Sequence, residues 1–183
     1  MTSTTQPDKE SGTDIAFRLP RSEDGARMLE LVKASPPLEP NTCYAYLLLC
    51  HHFRETCVVA EQEGELRGFV VGYRPPKEPD TIFVWQIAVS SKARGQGLGK
   101  RLLEQLLAAQ PEGSVRYLTS TVTPDNEPSA RLFRSYAEKL GVPCEESKLF
   151  GAEAFGKDQH HEEEHLFRIG PLPGSGRTPH TPL

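Results

Sequence analysis

The sequence predicts an α/β layer fold, with a mixed sheet of about seven strands and helices on both faces. Three observations lead there. Short β-branched and aromatic runs alternate with longer runs of helical periodicity, in the order strand, two helices, three strands, helix, strand, helix, two strands. A glycine-rich turn, Arg94-Gly95-Gln96-Gly97-Leu98-Gly99, joins the fourth strand to the third helix. A chain of 183 residues that is 37% hydrophobic supplies one core of respectable size.

Residues 1–13 are polar, lack apolar periodicity and are expected to form a disordered tail ahead of a single domain over 14–171. Ile15 to Leu19 is the first strand. Ser22 is the expected cap of a helix that carries Met28, Leu29, Leu31 and Val32, with Glu23 and Asp24 suiting the helix dipole. That helix stops before Pro36-Pro37. A turn-rich segment, Leu38 to Cys43, leads into an apolar helix over Tyr44 to Phe53, expected to lie half buried against the sheet. Thr56 to Glu61 and Leu66 to Tyr73 form a hairpin about Gly64. Ile82 to Val89 is the strand that enters the glycine turn, and Leu98 to Ala109 the helix that leaves it. Val115 to Val122 is the next strand, and Pro124-Asp125-Asn126 starts a helix with good apolar spacing that Gly141 ends. Cys144 to Phe150 and His165 to Ile169 complete the sheet, and residues 172–183 are expected to be a flexible tail.

Composition excludes several classes of function. With a net charge of −4 and scattered basic residues, the chain has no nucleic-acid footprint. No apolar run approaches the roughly 20 residues of a membrane span, and the start has no signal-peptide core, so no membrane partner and a cytoplasmic location are expected. Cys43, Cys50, Cys57 and Cys144 form no Cys-x-x-Cys pair and read as reduced, mostly buried thiols.

A strand that turns through glycines into a helix leaves backbone N–H groups unpaired at the positive end of the helix dipole, and so makes an anion site. Glycine lets a phosphate approach the backbone, and Arg94, Lys100 and Arg101 add charge. A dinucleotide fingerprint would require glycine where Lys100 stands, and a P-loop would require Ser or Thr where Arg101 stands. The spacing that fits, Arg-x-x-Gly-x-Gly, resembles the coenzyme A pyrophosphate loop of the GNAT N-acetyltransferase superfamily, and the element order is similar to the GNAT fold. The resemblance implies acetyl-CoA as cosubstrate, held by Arg94, Gly95, Gln96, Gly97, Leu98, Gly99 and Lys100 and by the backbone of Ile87, Ala88 and Val89. Asn126 stands where many GNAT relatives carry an asparagine near the cofactor, although it equally suits a helix cap. Where those relatives often carry a tyrosine that protonates the departing thiolate, this chain has Phe133, so either Tyr136, Tyr44 or another group takes that role or the thiolate leaves without a dedicated acid.

Further segments are more specific. Leu38-Glu39-Pro40-Asn41-Thr42-Cys43-Tyr44-Ala45-Tyr46-Leu47-Leu48-Leu49-Cys50, Thr56 to Glu61, Phe83 to Val89 and His161 to Pro171 resemble the L-2,4-diaminobutyric acid acetyltransferases of ectoine biosynthesis. The resemblance spans about residues 15 to 171. It implies acetyl transfer to the 4-amino group of L-2,4-diaminobutyrate and a homodimeric assembly. Glu39, an aspartate in related sequences, is the first candidate to orient the amine and accept its proton; otherwise it is a loop-surface glutamate. Tyr44 is a candidate to hydrogen-bond the substrate and act at the reacting centre, or is a core tyrosine. Trp85 is expected to be a buried indole that shapes the pocket, or is simply packed. His161 and Glu164 are candidate substrate contacts, and no metal is expected. Two other readings remain at this point: the same fold serving another diamine or amino acid, and a non-catalytic acetyl-CoA sensor.

Overall fold

The computed structural model describes residues 14–36, 38–156 and 162–174; the tails expected over 1–13 and beyond 174, and His161, lie outside the described residues. Seven strands and four helices follow in the predicted order. They are β1 (Ala16–Arg18), α1 (Asp24–Lys33), α2 (Cys43–His52), β2 (Cys57–Gln62), β3 (Glu65–Tyr73), β4 (Thr81–Val89), α3 (Leu98–Ala108), β5 (Tyr117–Val122), α4 (Glu127–Leu140), β6 (Cys144–Phe150) and β7 (Glu164–Ile169). The sheet order is β1-β2-β3-β4-β5-β7-β6. Neighbours are antiparallel except β4 and β5, which run parallel because α3 crosses between them.

Each face of the sheet buries its own core. Val58, Val70, Ile82 and Val84 point toward α3 and α4, where Leu98, Leu102, Leu103, Leu106, Phe133 and Ala137 meet them. Cys57, Val59, Phe69, Val71 and Ala88 point the other way, against Met28 and Val32 of α1 and Tyr46, Leu49 and Cys50 of α2. Strand alternation puts successive residues on opposite faces, so both faces of the central strands must be apolar. The β2–β3 hairpin closes through Glu63 and Gly64, both at positive φ, as a tight two-residue hairpin turn requires.

One irregularity reorganises β4. Val71 of β3 pairs with Gln86, but Gly72 pairs with Val84, so Trp85 is an extra residue without a partner on β3. The bulge shifts the alternation by one. Before it, Ile82 and Val84 face α3 and α4; after it, Ile87 and Val89 do. Gly72 is required opposite the bulge, since a Cβ there would lie 2.4 Å from the Phe83 carbonyl oxygen. Pairing of β4 with β5 ends at the same point, with Val84 opposite Ser120. Beyond it the two strands separate and leave Trp85 to Val89 open on the β5 side.

Several local expectations change. The residue before α1 is Glu23, in a helical conformation and without a side-chain cap, rather than Ser22. Asp24 does more than complement the dipole. It is 2% exposed and receives Arg18 at 2.7 Å, Arg27 at 2.9 Å and the Arg21 amide at 2.8 Å, while Glu61 completes the cluster on Arg18. Helix α2 begins a residue earlier than predicted, because the Thr42 hydroxyl accepts the Ala45 amide as a cap. Leu172, expected to open a flexible tail, is buried among the core residues, and its amide donates to the Arg116 carbonyl at 2.8 Å. Of the four thiols, Cys50 and Cys57 are buried and Cys43 and Cys144 partly so.

Burial alone would raise the Asp24 carboxyl, but the bonds from Arg18 and the Arg21 amide, with the charge of Arg27, outweigh it and hold the group below the usual carboxylate range. Asp24→Ala is therefore expected to destabilise the fold by about 3 kcal/mol at pH 7, measured by urea unfolding. The unfolded carboxyl titrates near pH 4 and the folded one lower, so the contribution is complete above about pH 5 and is lost as pH falls through the folded value. The gap between wild type and variant should close on acidification; a gap as large at pH 3 as at pH 7 would contradict the assignment.

Candidate active site

Where β4 and β5 part, two cavities open side by side. The first, about 390 Å³, is lined by Glu39, Pro40, Asn41, Trp85, Gln86, Thr121, Thr123, Asp125, Glu162 and Glu164, with Leu38 and Asn126 at its edge. The second, about 400 Å³, is lined by Ile87, Val89, Arg94, Pro128, Ser129 and Leu132, again with Leu38 and Asn126. Leu38 and Asn126 thus form the wall common to both. The first cavity carries four carboxylates, and among the described residues no Lys, Arg or His lines it. The second is largely apolar, with Arg94 at one end.

The apolar groove follows from the shifted alternation of β4, which turns Ile87 and Val89 toward it. Ala88 points into the opposite core, so of the three predicted cofactor-strand residues it can offer only its backbone. At the Arg94 end, Gly95 and Gly97 adopt φ of 75° and 69°, the left-handed conformation for which glycine is suited. Gly97 is the residue before α3 and supplies no side-chain cap. The first bond of that helix runs from the Arg101 amide to the Gly97 carbonyl at 3.2 Å, so the amides of Leu98, Gly99 and Lys100 precede the ladder and face outward as donors. Gln96 is exposed beside them. Arg101 is turned aside, its guanidinium stacked 4.9 Å above the Phe17 ring. Of residues 94–100, Arg94 lines the groove; an apolar groove that meets an arginine beside a glycine turn and a helix start fits a cofactor with an aliphatic arm and a pyrophosphate.

Glu39, Trp85 and Glu164 come together in the acidic cavity, and Asn126, expected at the cofactor, lies on the wall shared with the second cavity. Trp85 is a correction: it is 44% exposed, because a bulge residue turns out of the core, and it lines the cleft from the surface. Tyr44 is not the core tyrosine of its second reading. It is 68% exposed and lines neither cavity. The buried stripe of α2 is Tyr46, Leu49 and Cys50, and a residue two positions before Tyr46 sits about 200° around the helix from it. Asn126 is a helix cap, its Oδ1 accepting the Ser129 amide at 3.2 Å, and it also faces both cavities.

Phe133 does not stand in the groove. It is 2% exposed and packs 6.1 Å from the Phe167 ring, so it is a core residue and its neighbour Leu132 faces the cofactor channel. Tyr136 lines a different cavity with Glu104 and Leu172, away from the groove, and burial pushes its hydroxyl up to about 12. Sequence reasoning missed Gln86, Tyr46, Asn41, Asp125 and Glu162. Gln86 was detectable as the polar interruption of the run Ile82 to Val89; Tyr46, inside an apolar helix, carries no such signal.

Residues 26–137 match the profile of the acetyltransferase (GNAT) family. The fold also superposes on Ard1 of Thermoplasma volcanium with a TM-score of 0.68 at 19% identity, covering 84% of this chain and 95% of that one. The chain belongs to the GNAT acetyltransferases. Two curated relatives are L-2,4-diaminobutyric acid acetyltransferases. The Chromohalobacter salexigens protein is 48% identical over 86% of this chain and 82% of its own length, and the Halalkalibacterium halodurans protein 45% over 92% and 88%. A solved structure of the diaminobutyrate acetyltransferase EctA from Paenibacillus lautus, in complex with its substrate L-2,4-diaminobutyric acid and coenzyme A, aligns with a TM-score of 0.81 at 42% identity, covering 87% of this chain and 96% of that one. Within the superfamily, the chain therefore groups with the diaminobutyrate acetyltransferases.

If the amides after Gly97 receive the cofactor phosphates, Gly97→Ala should weaken coenzyme A binding about tenfold and cost about 1 to 2 kcal/mol of stability through its positive φ. Arg94→Ala should also weaken binding about tenfold, without the stability cost. Calorimetric titration with coenzyme A checks both, and unchanged affinity in the two variants would remove the loop from the site.

Proposed function

We propose that this protein transfers the acetyl group of acetyl-CoA to the 4-amino group of L-2,4-diaminobutyrate, giving N4-acetyl-L-2,4-diaminobutyrate. The observation that carries the reading is the cleft of four carboxylates, with no Lys, Arg or His lining it among the described residues, that shares a wall with the apolar, arginine-ended groove. At neutral pH the acceptor carries two ammonium groups and one carboxylate. A cleft of carboxylates recruits the ammonium groups, and Asn41, Thr121, Thr123 and Asn126 line it as uncharged partners for the substrate carboxylate. The relatives' activity, and the substrate held by the Paenibacillus lautus protein, support the same acceptor.

The chemistry follows from the amine. With a pKa of about 10, it is neutral in roughly one molecule in a thousand at pH 7, a cost of about 4 to 5 kcal/mol unless a base helps. Glu39, on the cleft side of the common wall, orients the ammonium and accepts its proton, directly or through water. The amine nitrogen then bonds to the thioester carbonyl carbon, the carbon–sulfur bond breaks, and the coenzyme leaves as its thiol. One proton is released overall: ammonium plus thioester gives amide, thiol and H⁺. The acetyl group passes directly between substrates in a ternary complex. Burial pushes the Cys50 and Cys57 thiols up to about 12, so neither is a thiolate carrier at neutral pH.

The reaction belongs to the cytoplasm in this reading, consistent with four free cysteines. A homodimer is the expected assembly; β6 lies at the sheet edge with Leu149 and Phe150 exposed, and a second copy would cover it.

Thiol release with L-2,4-diaminobutyrate, and none without acceptor, is the expected result. Comparable turnover with lysine, ornithine or polyamines would overturn the acceptor assignment. Glu39→Ala should lower kcat at least a hundredfold with the KM for acetyl-CoA within twofold; weakened cofactor binding instead would contradict its role. Trp85 is the single tryptophan, so saturation with diaminobutyrate should change the intrinsic fluorescence of the wild type. A spectrum that does not respond would place the acceptor elsewhere.

A further inference from the structure

Gln86 is a polar residue inside an otherwise apolar strand, and both ends of its amide are engaged. Its Oε1 accepts the Tyr46 hydroxyl at 2.7 Å, and its Nε2 donates to the Glu39 carbonyl at 3.0 Å. The Tyr46 oxygen in turn accepts the Asn41 amide at 3.2 Å. A phenol has one proton, and here it goes to Gln86, which fixes the orientation of the amide. Reversing the amide would set its oxygen against the Glu39 carbonyl, two acceptors face to face. Tyr46 cannot drift, being fully buried with its ring edge-on to Phe69 at 6.0 Å.

These bonds grip the chain on both sides of Pro40. Leu38 is tied back to the Ser35 carbonyl and Thr42 caps α2, but among the described residues the hydrogen bonds joining 39–41 to the sheet layer are those of Gln86 and Tyr46. Glu39 is exposed and among the described residues no ion pair holds its carboxylate, so the side chain reaches the cleft from wherever its backbone is fixed. A glutamate has three side-chain torsions, and a mobile backbone beneath them would spread the carboxylate over several ångströms. A misplacement of 1 Å costs about a hundredfold in rate.

We infer that Gln86 and Tyr46 are positioning residues that set where the Glu39 carboxylate meets the acceptor amine. The bulge makes this possible. By shifting the alternation at Trp85 it puts the even-numbered Gln86 on the α1 and α2 face, where Tyr46 is, and leaves Ile87 on the groove face. The inference rests on the assignment of Glu39 to the amine.

A double-mutant cycle in the full chain tests it, with steady-state kinetics on acetyl-CoA and diaminobutyrate. Gln86→Met, nearly isosteric but unable to hold either partner, should lower kcat/KM for diaminobutyrate at least tenfold, with the KM for acetyl-CoA within twofold. In the Glu39→Ala background the same substitution should cost less than twofold, because the group it positions is gone. Tyr46→Phe keeps the ring packing and should give the same pattern with a smaller loss. Equal losses on both backgrounds, or losses shared by the acetyl-CoA KM, would overturn the inference and make the pair a structural support of the whole cleft. A wild-type enzyme inert toward diaminobutyrate would overturn the proposed function and this inference together. An active wild type with additive losses overturns the inference alone.

Discussion

The extra residue in β4 is the constraint on which the site depends. A regular strand would keep pairing with β5 beyond Val84, fill the space between them and hold one alternation throughout. With Trp85 unpaired, the strand leaves its parallel neighbour where Val84 meets Ser120. Both cavities lie beyond that point, one against the open flank of β4 and the other between the diverging strand ends. The bulge also decides which side chains face which cavity, sending Ile87 and Val89 to the apolar groove and Gln86 to the opposite layer. Gly72 is the permissive residue across the ladder, since any side chain there would collide with the Phe83 carbonyl.

The two cavities divide the task by chemistry. One has apolar walls and an arginine beside a glycine turn and a helix start, suited to a long cosubstrate with an anionic tail. The other has carboxylates and neutral donors, suited to a small amine. Their shared wall at Leu38 and Asn126 keeps the two environments adjacent without mixing them, the arrangement that the proposed ternary complex needs.

Much of this was legible in the sequence, and the exceptions have physical causes. Element order, the glycine turn and the convergence of Glu39, Trp85 and Glu164 all followed from periodicity, loop chemistry and resemblance. The bulge did not, because Ile82 to Val89 reads as an unbroken apolar run and a one-residue register shift leaves no trace in composition. Trp85 was therefore expected to be buried when it is half exposed. Tyr46 was read only as part of an apolar helix, because the helix is apolar on most sides and periodicity cannot choose its inner face. Phe133 looked like a missing acid at the cofactor, whereas α4 turns that position into the core. Asp24 was taken for a dipole partner, because the arginines that bury it come from elements that only the fold brings near.

The acidic lining of the acceptor cleft also sets how the site responds to ionic strength. At about 0.15 M salt, charges attract over about 8 Å, but at 1 M the range shrinks to about 3 Å, the length of a hydrogen bond. Long-range steering of a cationic substrate is therefore the first contribution to fade in a salt-rich solution. Contacts made in the cleft at hydrogen-bond distance lie within that shortened range and persist, even though Glu39, Asp125 and Glu162 are exposed. Recognition built on such short-range carboxylate contacts, rather than on the overall charge of −4, retains its preference for an ammonium group when the surrounding solution is concentrated.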